Sequence, residues 1–175
     1  MNFKSINPKE LQGNIFELID DKWFLITAKK QNGDKKINTM TASWGGMGIM
    51  WGKPVAWCVI RPHRYTYEFI EESEYYTLSF FSNEHRKALN LLGTKSGRDG
   101  DKIKESGLTL ADVYIEGTEK AATFKEAEII MTCKKLYYQD INPDQFIDKD
   151  LDKNYPKKDY HRMYFGEIIK CLVKE

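Results

Sequence analysis

Residues 54–60, Pro-Val-Ala-Trp-Cys-Val-Ile, form an almost unbroken apolar run rich in β-branched and aromatic side chains. A run of this length and composition reads as a strand covered on both faces, which requires a layered core around it. It leads directly into Arg61-Pro62-His63-Arg64-Tyr65-Thr66. A buried strand therefore delivers two guanidiniums, an imidazole and a hydroxyl to one end of the core, and fork donors at that density suit a phosphate.

Asn38-Thr39-Met40-Thr41-Ala42-Ser43-Trp44 ends another strand-like run in small and hydroxylated residues beside a large aromatic. Small side chains let backbone N–H groups approach the edge of a flat heterocycle, and Trp44 or Met40 can wall its face. Together the two segments describe a phosphorylated aromatic cofactor, with FMN the first choice. The cations alone do not separate FMN from FAD, and haem would need an axial ligand from His63, His85 or His161 that no spacing favours. Each motif also has a plainer reading. Met40, Ala42 and Trp44 fit one face of a half-buried strand, and either arginine could pair with Glu68 or Glu71.

Along the chain, residues 11–19 have the spacing of a short amphipathic helix, and 23–28 read as a first strand. Gln31-Asn32-Gly33-Asp34 reads as a hairpin turn. Gly45-Gly46-Met47-Gly48 breaks the strand pattern and lacks the lysine and hydroxyl of a phosphate-binding loop. Helical spacing covers 65–72, with Tyr65, Phe69 and Ile70 inward. A strand covers 75–81, and a helix capped by Asn83 runs over 84–92 and stops at Gly93. Residues 93–102 read as an ordered polar loop before a helix over 101–106. Long strands cover 127–138 and 161–173, around an acidic, proline-bounded insertion at 142–156. Strands outnumber short helices and the connections are too uneven for a βαβ repeat, so a β-barrel with short peripheral helices is expected.

Lysine plus arginine (27) balances aspartate plus glutamate (26), so no global field draws the chain to nucleic acid or membrane. Cys58, Cys133 and Cys171 are widely spaced in apolar runs and read as reduced core thiols without a metal. The first residues lack an apolar leader core and no apolar run approaches the ~20 residues of a membrane span, so a cytoplasmic protein is expected.

These motifs resemble the flavin reductase-like family of FMN-binding split barrels, close to its flavoredoxin branch, over nearly the whole chain. The resemblance implies one domain over 1–175, a six-stranded Greek-key barrel that forms a homodimer with a cofactor near the subunit interface. It assigns Arg61, Arg64 and Thr66 to the phosphate and runs Met40, Thr41, Ala42, Ser43 and Trp44 along the flavin, with Asn38 and Tyr65 completing the set. The 93–102 loop resembles the segment that closes over the flavin through Ser96, Gly97 and Lys102. His161 falls on the last barrel strand, where it could orient substrate; a packed edge-strand histidine is the equal alternative. The activity implied is electron or hydride transfer between NAD(P)H, or a redox partner protein, and FMN; the other reading is a non-enzymatic flavin-binding or electron-carrier protein. No nucleophile–base pair is required, and without a G-x-G-x-x-G the nicotinamide donor has to bind over the flavin itself. The 45–52 insert, with Met47, Met50 and Trp51, is expected to narrow the pocket above the ring.

Overall fold

A computed structural model describes residues 2–31, 33–34, 36–115 and 119–175. Among the described residues are ten strands: β1 Phe3–Ile6, β2 Phe24–Lys29, β3 Ile37–Ala42, β4 Gly45–Met50, β5 Lys53–Ile60, β6 Tyr75–Phe80, β7 Leu110–Tyr114, β8 Lys120–Phe124, β9 Ile129–Asp140 and β10 Arg162–Lys174. Three α-helices join them: α1 Tyr65–Glu72, α2 Arg86–Thr94 and α3 Lys102–Ser106. The main sheet runs β3-β2-β6-β9-β10-β5-β4, with β1 on the far end of β10, and every pairing is antiparallel.

Ser43 and Trp44 carry the chain from β3 on one edge of this sheet to β4 on the other. Counted as one bent strand, β3 and β4 join β2, β5, β6, β9 and β10 in a six-stranded split barrel, closed at the split by covalent chain. The interior confirms the closure. Phe24, Ile26 and Met40 from one side share a core with Ala56, Cys58 and Ile60 from the other, and the Tyr76 hydroxyl donates to the Ala56 carbonyl at 3.3 Å across the barrel. Alternation along β2 turns Phe24, Ile26 and Ala28 inward. Leu25 faces outward into a second core with Leu89, Leu92, Val113 and Phe124. The three cysteines are buried and unpaired.

α1 spans the expected residues because Thr66, Phe69 and Ile70 fall on one face and are buried. Burying Phe69 completely contributes roughly 1.5–3 kcal/mol, which anchors the helix on the barrel. The helix also fixes where the preceding arginines stand.

Several expectations are corrected. The first helical segment begins at residue 15 and ends in a π turn, Glu17–Asp21, leaving Leu11 outside it. Gly45–Met50 is a strand, not a break: Trp57 of β5 lies so flat across it that a Cβ on Gly46 would stand 2.1 Å from the indole. β4 and β5 are joined by the two residues Trp51 and Gly52, both at positive φ (51° and 71°), the geometry of a tight type I′ hairpin. Asn83 opens a short 3-10 turn instead of capping a helix, and α2 continues through Gly93 to Thr94. Gly93 faces β3, where its added Cβ would be 3.2 Å from Thr41 Cβ, so this glycine serves helix–strand approach and not termination. The β7–β8 hairpin and β1 were not anticipated. The strand expected over 75–81 is β6, Tyr75–Phe80, a central strand with a buried face on each side. Asn32 of the expected 31–34 turn lies outside the described residues. The 142–156 insertion folds into the 3-10 turns Pro143–Gln145 and Lys149–Asn154. Among the described residues no helix is long and apolar enough to cross a membrane.

Candidate functional site

Where β3 crosses to β4, the chain leaves a cleft of about 200 Å³ against the end of β5, lined by Met40, Thr41, Ala42, Ser43, Trp44, Val59, Arg61, Arg64 and His161. The two sequence motifs therefore meet across one opening. Trp44 is 46% exposed and stands at its rim, with the His161 ring at 5.2 Å between centroids. The apolar wall is Met40, Ala42 and Val59.

The two arginines differ in how they are held. Arg61 Nη1 pairs with Asp159 Oδ1 at 2.8 Å, Nη2 donates to the Asn154 carbonyl at 2.9 Å, and the guanidinium lies 5.0 Å from the Tyr155 ring centroid. The plainer reading of the motif paired an arginine with Glu68 or Glu71; for Arg61 the carboxylate is Asp159 instead, and the hydrogen bond from Arg61 holds its carboxyl below the usual range. Asp159 Oδ2 also meets His63 Nδ1 at 3.0 Å. Arg64 Nη2 donates to the Gly93 carbonyl at 2.8 Å, and among the described residues no carboxylate forms an ion pair with it. Burial, and then the neighbouring Arg61, lower the Arg64 pKa. A half-enclosed guanidinium beside a second cation, balanced only by a carbonyl, is a place where an anion is stabilised.

The remaining expected residues do not line this cleft. Asn38 Nδ2 donates to the Thr66 hydroxyl at 3.0 Å, and both side chains are buried. Gly97 packs onto this pair: an added Cβ would stand 2.5 Å from Asn38 Oδ1 and 3.0 Å from Tyr65 Cδ1. Lys102 Nζ is buried and donates to the carbonyls of Leu92 (2.9 Å) and Lys95 (3.1 Å), bracing the end of α2. Burial, and then Arg64, bring its pKa down to about 8. Ser96 Oγ accepts from the Arg98 amide at 3.2 Å, and Arg98 Nη2 reaches Glu68 at 2.5 Å. Met40–Trp44, Arg61, Arg64 and His161 thus face the opening, while Asn38, Gly97 and Lys102 line a separate pocket of about 620 Å³ and Tyr65, Thr66 and Ser96 line neither.

His161 Nδ1 lies 2.9 Å from the Tyr155 hydroxyl. Burial, and then Arg61, bring its pKa down to about 4, so the imidazole is neutral at pH 7. The 45–52 insert does not reach the cleft. Met50 and Trp51 line a separate groove of about 550 Å³ on the outer face with Tyr137, Ile141, Phe146 and Phe165, which corrects the expectation that they narrow the pocket over the ring.

Comparison with protein families decides the lineage: the model for the flavin reductase like domain matches residues 19–175. The chain belongs to the flavin reductase-like family. Among solved structures, the FMN-binding domain of a flavin reductases-like enzyme from Shewanella baltica matches with TM-score 0.68 and 16% identity, over 99% of this chain and 78% of that one. The flavoredoxin of Desulfovibrio vulgaris (Miyazaki F) matches with TM-score 0.64 and 24% identity, over 87% of this chain and 69% of that one. The 2-nitrobenzoate 2-nitroreductase of Pseudomonas fluorescens gives 0.62 and 18%, over 87% of this chain and 64% of that one. These likenesses agree with the split-barrel fold. Comparison with curated protein sequences gives no match.

In this flavin reductase-like chain the residues of the candidate site missed from sequence are Val59, which lines the cleft, and Asn154, Tyr155 and Asp159, which hold its lining residues Arg61 and His161. Val59 is one more apolar position in a buried strand. The other three come from the insertion and its exit, which carry no motif; the weak signal was the Tyr155-Pro156 pair and Asp159-Tyr160 just ahead of His161.

Proposed function

We propose that this chain is an FMN-dependent oxidoreductase that binds one FMN per subunit in the cleft between Trp44 and Arg64. The observation that carries the reading is the half-enclosed Arg64 guanidinium, without a carboxylate partner among the described residues, facing the same opening as the flat apolar wall. Arg64 would hold the phosphate, with Arg61 lending charge from its tether on Asp159. Met40, Ala42 and Trp44 would wall the ring, and the backbone at Ala42 and Ser43 would meet its polar edge. FMN, when bound, supplies hydride and single-electron chemistry at its ring system. The chain's own part is then to position the ring, exclude water and offer the neutral His161 imidazole to the second reactant. Family membership and the FMN-binding solved structures support this assignment.

A homodimer belongs to the same proposal. A cleft of about 200 Å³ is smaller than the ~300–1,000 Å³ of complete ligand pockets, so a second copy is expected to supply the missing wall. The electron donor is NAD(P)H or a redox protein. Mixing flavin-loaded protein anaerobically with NADH or NADPH and following the oxidised-flavin absorbance tests the activity. Bleaching on a catalytic timescale is expected; bleaching only by a reduced partner protein would identify an electron carrier, and no bleaching by either would overturn the oxidoreductase reading.

A further inference from the structure

The 142–160 segment packs on itself and then against the cleft. Phe146 stacks on Tyr155 with centroids 6.1 Å apart, and Tyr155 and Tyr160 lie 4.8 Å apart. The Tyr160 hydroxyl donates to Asp152 Oδ1 at 2.6 Å. The segment is tied to the barrel through Arg61, by the Asn154 carbonyl and the Tyr155 ring. These contacts fix the Tyr155 ring, and its hydroxyl points at His161 Nδ1.

The polarity of that hydrogen bond follows from what each atom needs. Tyr155 is 3% exposed, and among the described residues its hydroxyl has no other hydrogen-bond partner. If Nδ1 carried the proton, the phenol oxygen would accept and its own O–H would be left buried without an acceptor, at a cost of about 1–3 kcal/mol. If the phenol donates, both groups are satisfied, and phenol is the stronger acid and imidazole the stronger base of the two. An accepting Nδ1 places the imidazole proton on Nε2. The imidazole is neutral near pH 7, since burial and the charges of Arg61 and Arg64 outweigh Asp159. His161 lines the cleft and Tyr155 does not, so the ring edge turned away from Tyr155 is the one presented to the opening.

We propose that Tyr155 is a positioning residue that locks His161 as its Nε2–H tautomer, making His161 a hydrogen-bond donor for a carbonyl-type oxygen on the molecule that enters the cleft beside Trp44. The catalytic part of this inference rests on the reading of the cleft as a flavin site; the tautomer does not. A donor fixed in this way selects reactants that bring an acceptor oxygen, such as a carboxamide or a conjugated carbonyl, and disfavours those presenting an N–H or O–H at that position.

The test is nitrogen-15 NMR of histidine-labelled protein, recorded with and without FMN, on the wild type and on Tyr155→Phe. The phenylalanine ring preserves the stacking on Phe146 and the contact with Arg61. In the wild type, His161 is expected to give an unprotonated Nδ1 and a protonated Nε2. In Tyr155→Phe it is expected to become a mixture of tautomers, with turnover of a carbonyl-bearing substrate reduced about tenfold, as for other residues that orient a functional histidine, and FMN content unchanged. A protonated Nδ1 in the wild type would overturn the proposal, and so would a tautomer unchanged by Tyr155→Phe; the wild-type spectrum decides alone if the variant does not fold. A fixed Nε2–H tautomer in a chain that takes up no FMN would support the role of Tyr155 and overturn the flavin reading of the cleft.

Discussion

The Arg64 side chain reaches from the start of α1 to the Gly93 carbonyl near the end of α2, 2.8 Å from Nη2 to oxygen. One residue thereby ties together the two helices that back onto β3 and turns its charge toward the cleft. Arg61, three positions earlier, is already matched to Asp159 at 2.8 Å. The two guanidiniums of one short motif are thus held differently: Arg61 fastens the 142–160 segment, and Arg64 has no carboxylate partner among the described residues.

Gly97 is expected to tolerate no side chain. Gly97→Ala would drive a Cβ to 2.5 Å from Asn38 Oδ1, breaking the buried Asn38–Thr66 hydrogen bond or displacing the loop. Overpacking of this kind costs about 1–3 kcal/mol. Urea unfolding should show a lower midpoint for Gly97→Ala, while Gly100→Ala, whose Cβ would meet only the flexible end of Glu105 at 3.3 Å, should unfold near the wild type.

His161 makes stability depend on pH on the acid side. Its pKa is near 6.5 unfolded and about 4 folded, so the unfolded chain binds the extra proton between those values. The contribution is complete above pH 6.5 and is lost as pH falls through 4. Partial exposure reduces it, leaving about 1 kcal/mol between pH 7 and pH 5. The His161→Gln variant should show a shallower fall than the wild type when unfolding free energies are compared at those two pH values; an identical fall would remove His161 from the account.

Trp51 is held at positive φ on the hairpin tip, 56% exposed, with its ring near Tyr137 and Phe165. An aromatic kept in an unfavourable backbone conformation on an open apolar groove fits an interface with a second copy. Trp51→Lys should convert a dimer to monomer in light scattering at micromolar concentration and weaken FMN binding with it. A wild type that is monomeric while loaded with flavin would contradict this.

Much of the barrel was legible in sequence because it rests on simple periodicity. Residues 54–60 are apolar on both faces, Tyr65–Glu72 has one apolar stripe, and 127–138 and 161–173 are long runs rich in β-branched, aromatic and other apolar residues. What was not legible depended on contacts distant in sequence. Gly45 and Gly46 look like a break until Trp57 is seen lying across them, and Gly93 looks like a helix stop until Thr41 is seen against it. The residues of the cleft were readable as chemistry, a cation pair and a flat wall. Their sorting was not: nothing in Arg61-Pro62-His63-Arg64 tells which arginine meets Asp159, nearly a hundred residues on, and the small polar set around Asn38 and Thr66 reads equally as contact or support.

The central claim, that Arg64 holds the phosphate of a flavin in the β3–β5 cleft, is tested most directly by titrating flavin-free protein with FMN and with riboflavin, for the wild type and for Arg64→Ala. A charge-assisted hydrogen bond of about 1.5–3 kcal/mol predicts that the substitution weakens FMN binding by about tenfold or more while riboflavin, which lacks the phosphate, changes little. Equal weakening of both flavins, or no binding of either by the wild type, would contradict the account.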